Sequence, residues 1–521
     1  MKRPGLAVAV LVSLFGATSA LATSPAVELR PLGSYATGVF AQGGSEIAAH
    51  DPLQQRLFVV NGAHSVVDIL DISDPSSPWR VASIDVTPWG KAANSVAVHH
   101  GLVVAAVENV DKQAPGAAVF FDTSGRYLKH VAVGALPDMV TFSPDGRWVL
   151  VANEGEPSAD YLVDPEGSVS VIDLRRGVWR LSQADVRTAG FAAWNGAALP
   201  PGVRVYGPGS SSAQDFEPEY ITVSDDSRTA WVTLQENDAI ATVDVASARV
   251  TAVRSLGTKD YSLPGQGLDP SDKDGGVHVG NWPVEGLYLP DSIGHYRVHG
   301  RTYLVTANEG DSRAYTGFNE EIRAKDAVLD PVRFPNAATL QLNANLGRLK
   351  LTRVGADSDG DGDFDRLLSF GARSFSIWTT DGRLVFDSGD ALETLTAAAF
   401  PADFNSDNES NGSFDSRSDD KGPEPEGLAL GRVCGRTYAF VGLERIGGVV
   451  VYDVSDPRQP AFVQYVNTRD FSGNAAAGTA GDLGPEGLLF IDSWDSPTGR
   501  PLLVTANEIS GTTRLFEIVE P

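Results

Sequence analysis

A unit built from short apolar runs recurs along the whole chain, and this internal repeat restricts the fold more than any other feature. Each unit opens on an acidic or polar residue and an apolar run. It turns into a second strand that often closes on Asn-Glu or a similar pair, then into a third strand ending near Asp. The clearest copies are Pro218-Glu219-Tyr220-Ile221 with 231–236, Glu285-Gly286-Leu287 with 303–309, Glu426-Gly427-Leu428 with 438–444, and Glu486-Gly487-Leu488 with 502–508. Weaker copies open at Glu46, Ser95 and Asp138, giving seven units. The runs are rich in Val, Ile, Tyr and Phe and are separated by Asp-Gly, Asp-Pro and Gly-Arg turns. Four antiparallel strands repeated in this way predict an all-β fold, a seven-bladed β-propeller of four-stranded blades. Two separate β domains are the rival arrangement. The last unit stops after its third strand, and the run Val27 to Tyr35 is a spare strand fit to close that blade as its outer edge.

Four insertions interrupt the repeat, at 188–216, 259–283, 310–373 and 391–423. Loops this long in a compact domain are functional or disordered, and 405–420 is polar enough to be partly mobile. The first and second strands of a blade run antiparallel, so the start of one lies beside the end of the other. The opening Glu219, Glu285, Glu426 and Glu486 therefore share one face with the closing Glu154, Glu236, Glu309, Glu444 and Glu508. The insertions emerge on that face too. Two carboxylates about 6 Å apart at an effective dielectric of about 20 repel by roughly 3 kcal/mol. A converging set needs cations, arginines or shared protons. Each glutamate taken singly is also suited to accept backbone N–H bonds or to pair with an arginine.

Asp357-Ser358-Asp359-Gly360-Asp361-Gly362-Asp363-Phe364-Asp365 places carboxylates at alternate positions, with a glycine sixth, as in an oxygen-donor calcium loop. Leu368 stands where an EF-hand has its bidentate Glu, so the expectation is a lone calcium loop. Gly-x-Ser-x-Gly, P-loop and His-Glu-x-x-His motifs are lacking. Arg313, Lys421 and Arg445 flank the glutamates, and His278 lies on the loop before Glu285. These four are candidates for holding an anion, or are simple counter-ions.

The formal charge of −26 excludes nucleic acid as a partner and points to divalent cations. Lys2 and Arg3, an apolar run to Phe15 and Ala20-Leu21-Ala22 read as a signal peptide over residues 1–22, with one domain over 23–521. The apolar run is shorter than the roughly 20 residues of a membrane span. The expectation is an exported, periplasmic or secreted protein with no membrane span. The single cysteine, Cys434, leaves no internal disulfide.

The blocks Val305 to Arg313, Gly371 to Trp378, Phe414 to Gly427 and Gly442 to Pro457 are distinctive. They resemble the choice-of-anchor I family of bacterial extracellular proteins, related to the mesenchyme-specific cell-surface glycoproteins of sea urchins. The resemblance implies an extracellular propeller linked to calcium or mineral, and some bacterial members are labelled alkaline phosphatase. Two functions follow as expectations. The first is a calcium-binding module that takes an extracellular ligand through its loop-covered face. The second is a calcium-dependent phosphomonoesterase acting on a phosphate ester, with its site at the channel mouth.

Overall fold

The computed structural model describes residues 27–520, so the signal-peptide reading of residues 1–22 lies outside the described residues. Its strands form seven four-stranded sheets and one five-stranded sheet. In each four-stranded sheet the strands pair antiparallel. The innermost strands are Ala48–Asp51, Ala93–His99, Pro137–Phe142, Pro218–Val223, Ile293–Val298, Pro425–Val433 and Pro485–Ile491. Each touches the next around a closed circle, the seventh meeting the first. The chain is thus an all-β propeller.

The ring is held by apolar layers between blades. Second and third strands such as Trp148–Asn153 and Ser168–Asp173 are buried on both faces, which explains their near-continuous Val, Ile and Ala runs. One buried cluster fills each gap between successive blades. Phe58 and Phe121 fill the first, for example, and Leu57 with Leu503's neighbour Leu502 fills the last.

The N-terminal strand Glu28–Ala36 pairs antiparallel with Thr512–Val519, as the outermost strand of the last blade. Its register shifts between Pro31 and Gly33, where a Cβ on Gly33 would lie 2.3 Å from the Pro75 carbonyl oxygen. Only glycine permits that approach. Val27 and Leu29 are 1% and 2% exposed, and burial of such a side chain contributes about 1.5–3 kcal/mol. A chain beginning after Ala36 is therefore expected to melt at a lower temperature. It should also self-associate through the bared edge of Thr512–Val519. Sedimentation velocity checks this, and an unchanged monomer with an unchanged melt would contradict the clasp.

Two sequence expectations are corrected here. Glu285-Gly286-Leu287 does not open the fifth blade, whose inner strand is Ile293–Val298. Glu285–Leu287 instead lies in the five-stranded sheet with Thr258–Asp260, Leu368–Ser369, Lys350–Thr352 and Glu321–Arg323. This mixed sheet gathers the two insertions around the fifth blade over their own apolar cluster, including Tyr261, Leu268, Leu349 and Leu351. The segment 405–420 is packed rather than loose. Asn405 is fully buried and donates to Glu393 Oε1 at 2.9 Å and Ser418 Oγ at 2.8 Å. Arg373 and Arg469 donate to its carbonyls. Several of its polar side chains, Asn405, Asn408 and Ser418 among them, are spent on bonds inside the fold, which composition alone does not reveal.

Candidate functional site

One acid recurs at the same place in almost every blade. Glu46, Asp138, Glu219, Asp291, Glu426 and Glu486 each stand two residues before an apolar residue or alanine that pairs with the second strand. Asn94 takes that place in the second blade. In four blades a proline precedes the acid and the register shifts there: at Pro137, Pro218, Pro425 and Pro485. Proline suits the first position of a strand, where no ladder N–H is needed, and the shift is a bulge that re-aims a side chain. Five of the six acids and Asn94 line one axial cavity of about 230 Å³. The carboxylate of Glu46 lies instead over Gly43 and Gly62.

A second tier comes from the ends of the second strands. Glu154, Gln235 and Glu309 line the same chamber, and Asp311 stands beside them with a side chain 60% exposed. Among the described residues no Lys, Arg or His lines it. Ion pairs hold Glu108 to Lys91 at 2.9 Å, Glu309 to Lys421 at 2.7 Å and Glu444 to Arg445 at 3.0 Å. Asp138, Glu154, Glu219, Asp291, Glu426 and Glu486 make no ion pair among the described residues. Glu154 is only 8% exposed, and its carboxylate has no hydrogen-bond partner among the described residues. One oxygen each of Glu426 and Glu486 is buried without a partner.

These acids resist ionising. Burial first, then Glu156 and Glu108, push Asp138 up to about 7. Burial, then Glu508 and Asp138, push Glu46 up to about 8. Burial followed by neighbouring carboxylates raises Glu154, Glu219, Asp291, Glu426 and Glu486 well above the carboxylate range. The chamber is an oxygen-rich donor set in which Lys421 offsets Glu309 and Asp311 while the other six carboxylates have no ion pair among the described residues, the chemistry that hard cations take.

The other predicted residues fall elsewhere. Glu285 binds Arg366 through both oxygens, at 2.9 and 2.5 Å, and accepts from Thr258 Oγ1 at 2.7 Å. The Arg366 hydrogen bonds hold its carboxyl below the usual range. It is outside the chamber, and Asp291 takes the place predicted for it. His278 sits 2.9 Å from Asp274 with a side chain 60% exposed, away from the chamber lining. Arg313 is 1% exposed and bridges Asp215 and Glu217, each at 2.9 Å. Lys421 Nζ lies 2.7 Å from Glu309 and 3.1 Å from Glu424, and Arg445 lies 3.0 Å from both Glu424 and Glu444. The three cations are therefore counter-ions within the wall. That wall also brings oxygens of Glu309, Glu424 and Glu444 within 4.8 Å of one another, around the charge that Lys421 and Arg445 supply.

The aspartate-rich loop divides into two groups. Oxygens of Asp357, Asp359 and Asp361 lie within 4.8 Å of one another, while Asp363 and Asp365 gather with Asp330. Gly360 and Gly362 have φ of +83° and +100°, a conformation that favours glycine and tightens the turn. Asp357 accepts from the N–H groups of both glycines, at 2.6 and 3.0 Å. Asp330 carries no sequence signal, because a parallel bridge between Leu329 and Phe364 brings it in.

The choice-of-anchor I domain model matches residues 46–457. Gigasin-3a of Magallana gigas is 34% identical over 196 residues, 34% of this chain and 67% of that protein. The mesenchyme-specific cell surface glycoprotein of Strongylocentrotus purpuratus is 28% identical over 277 residues. That is 47% of this chain and 35% of the glycoprotein, so the chain spans about a third of that relative. Among solved structures, Kuenenia stuttgartiensis hydrazine synthase is similar with a TM-score of 0.48 and 14% identity, over 94% of this chain and 99% of that one. A streptogramin B lyase is similar with a TM-score of 0.44 and 9% identity, over 95% and 97%. With a family model covering the six ring positions from Glu46 to Glu426 and stopping before the outer strand of the sixth blade, this chain belongs to the choice-of-anchor I family.

Proposed function

We propose that the protein is an extracellular cation-binding module whose site is the acid-lined chamber on the propeller axis, with calcium as the ion. The observation that supports it most is the ring itself: one position repeated around the blades, with five carboxylates on one cavity that make no ion pair among the described residues. A hard divalent ion meets oxygen donors there and offsets a repulsion that otherwise keeps the acids protonated. The loop of Asp357, Asp359 and Asp361 is a second, weaker and more exposed calcium position. Export to the periplasm or beyond fits the family and a millimolar calcium supply. Among the described residues no helix is long and apolar enough to cross a membrane. A phosphate ester is the less supported ligand, because Arg313, Lys421 and Arg445 are already paired with buried acids.

The test is a set of melting curves at pH 5 and pH 8, with calcium or with chelator. An unfolded carboxylate titrates near 4, whereas Asp138 and Glu46 titrate at about 7 and 8 in the fold. Between these values the native state holds more protons than the unfolded one, so stability falls as pH rises from about 4 to about 8. Without calcium the midpoint is therefore expected to drop from pH 5 to pH 8. Calcium, which needs the deprotonated ring, should restore it at pH 8 and do little at pH 5. Unfolding entropy near 2.1 cal/mol/K per residue makes about 1 kcal/mol equal to roughly 1 °C in a chain this long. Calcium at about a thousand times its dissociation constant then adds about 4 kcal/mol, roughly 4 °C. Coincident curves with calcium and chelator at pH 8 would overturn the reading.

A further inference from the structure

Below the acid chamber the channel changes character. A second cavity of about 480 Å³ is walled by the innermost strands of the first, second, third and seventh blades. Ile47, Val96, Val98, Met139, Leu489 and Phe490 give it an apolar wall, which His50, His99, His100, Asp492 and Asp495 interrupt with polar groups. Ile47, Ser95, Met139 and Tyr220 line both cavities, so the two compartments meet at this waist. The burial of Tyr220 and the nearby Asp291 and Asp138 raise its hydroxyl pKa, which places that polar end by the acids. The loops at the lower rim carry exposed apolar side chains, Leu53 at 78% and Trp494 at 93%. They are joined by a hydrogen bond from Gln55 Nε2 to the Asp495 carbonyl at 2.8 Å.

We propose that the channel binds an amphiphilic organic ammonium ion, with its charged nitrogen in the acid chamber and its hydrocarbon body against the apolar strand residues of the cavity below. The inference rests on reading the chamber as a cation site. Cavities of this size with apolar walls and a few convergent polar groups are the usual form of small-molecule sites. Charge decides the sign of the ligand. Eight carboxylates and no Lys, Arg or His line the chamber among the described residues, so an anionic or neutral head group has no cationic partner there. Glu154, buried and without a hydrogen-bond partner among the described residues, offers its oxygens to an ammonium N–H. Calcium and the ammonium nitrogen compete for the same acids, while the hydrocarbon binds where calcium has no contact.

The experiment is calorimetric titration of the full chain, at pH 8, with n-alkylammonium ions from ethyl to octyl, with n-octanoate, and with calcium. Each buried methylene contributes about 0.8 kcal/mol, which is roughly a fourfold gain in affinity per carbon until the cavity is filled. Octylammonium should compete with calcium, and octanoate should bind at least a hundredfold more weakly. Val98→Trp, which fills the lower cavity away from the acids, should abolish the chain-length dependence and leave calcium binding intact. Val98→Ser, a milder change, should weaken octylammonium several-fold and serves if the tryptophan variant does not fold. Calcium binding without any chain-length dependence overturns this inference alone. Octanoate binding as tightly as octylammonium also overturns it, since the acids would then take no part. Failure of both calcium and ammonium overturns the cation site itself.

Discussion

Exchanging Arg313 for methionine is expected to destabilise the protein by about 3–5 kcal/mol, the usual loss when one partner of a buried ion pair is removed. In this chain that is roughly 3–5 °C in the melting midpoint. The guanidinium bridges Asp215 and Glu217, and all three side chains are about 1% exposed. It also donates to the Asp215 carbonyl at 2.7 Å and lies 4.5 Å from the Tyr206 ring, whose hydroxyl donates to Glu320. Methionine keeps much of the volume but leaves two carboxylates without a cation. Two buried carboxylates without a cation cost more when charged, so the loss should be larger at pH 8 than at pH 5. Adding Asp215→Asn and Glu217→Gln should recover part of it, since a buried pair replaced on both sides costs less than a pair broken on one. A different result would follow if Arg313 served to hold a phosphate. The variant would then melt like the parent and lose affinity for phosphate instead.

The repeat made the blades legible because each obeys the same local grammar: period-two strands, Asp-Gly or Asp-Pro turns and an acid at the opening. The fifth blade shows where that grammar misleads. Glu285-Gly286-Leu287 copies the Glu426-Gly427-Leu428 and Glu486-Gly487-Leu488 signature, yet it forms a three-residue strand of the added sheet. Spacing carried a partial signal, one that the last blade's Glu486 lacks as well. Glu219, Asp291 and Glu426 each precede the aromatic residues Trp231, Tyr303 and Tyr438 by the same interval, which Glu285 does not. The added sheet itself was not legible, since strands of two or three residues leave no periodicity to read. The fates of the basic residues were equally hidden. Proximity in sequence placed Lys421 and Arg445 beside the acids, but whether a cation faces a cavity or a wall depends on packing from other blades. The lower half of the channel escaped notice for a related reason. Its residues are the ordinary apolar positions of inner strands, and only ring closure turns them into a cavity wall.

Replacing Glu219, Glu426 and Glu486 together by glutamine is expected to raise the melting midpoint of the calcium-free protein at pH 8 and to remove the calcium-dependent gain. Glutamine preserves size and hydrogen bonding while taking three negative charges from a chamber that contains no basic side chain among the described residues. Two carboxylates about 6 Å apart repel by roughly 3 kcal/mol at an effective dielectric of about 20, so relief of one such pair is worth about 3 °C here. At pH 5 the gain should shrink, because the parent ring already carries protons there. Calcium stoichiometry, read by calorimetry, should fall by about one ion, leaving only what the Asp357 loop binds. Glu285→Gln is the matched control. It should lose its Arg366 pair without changing calcium binding, since that glutamate stands in the added sheet and not on the axis. A triple variant that melts higher yet keeps its full calcium count would mean that the ring is an electrostatic burden with no ion of its own. A variant that loses both the ion and the ammonium ligands would tie the two ligands to the same carboxylates.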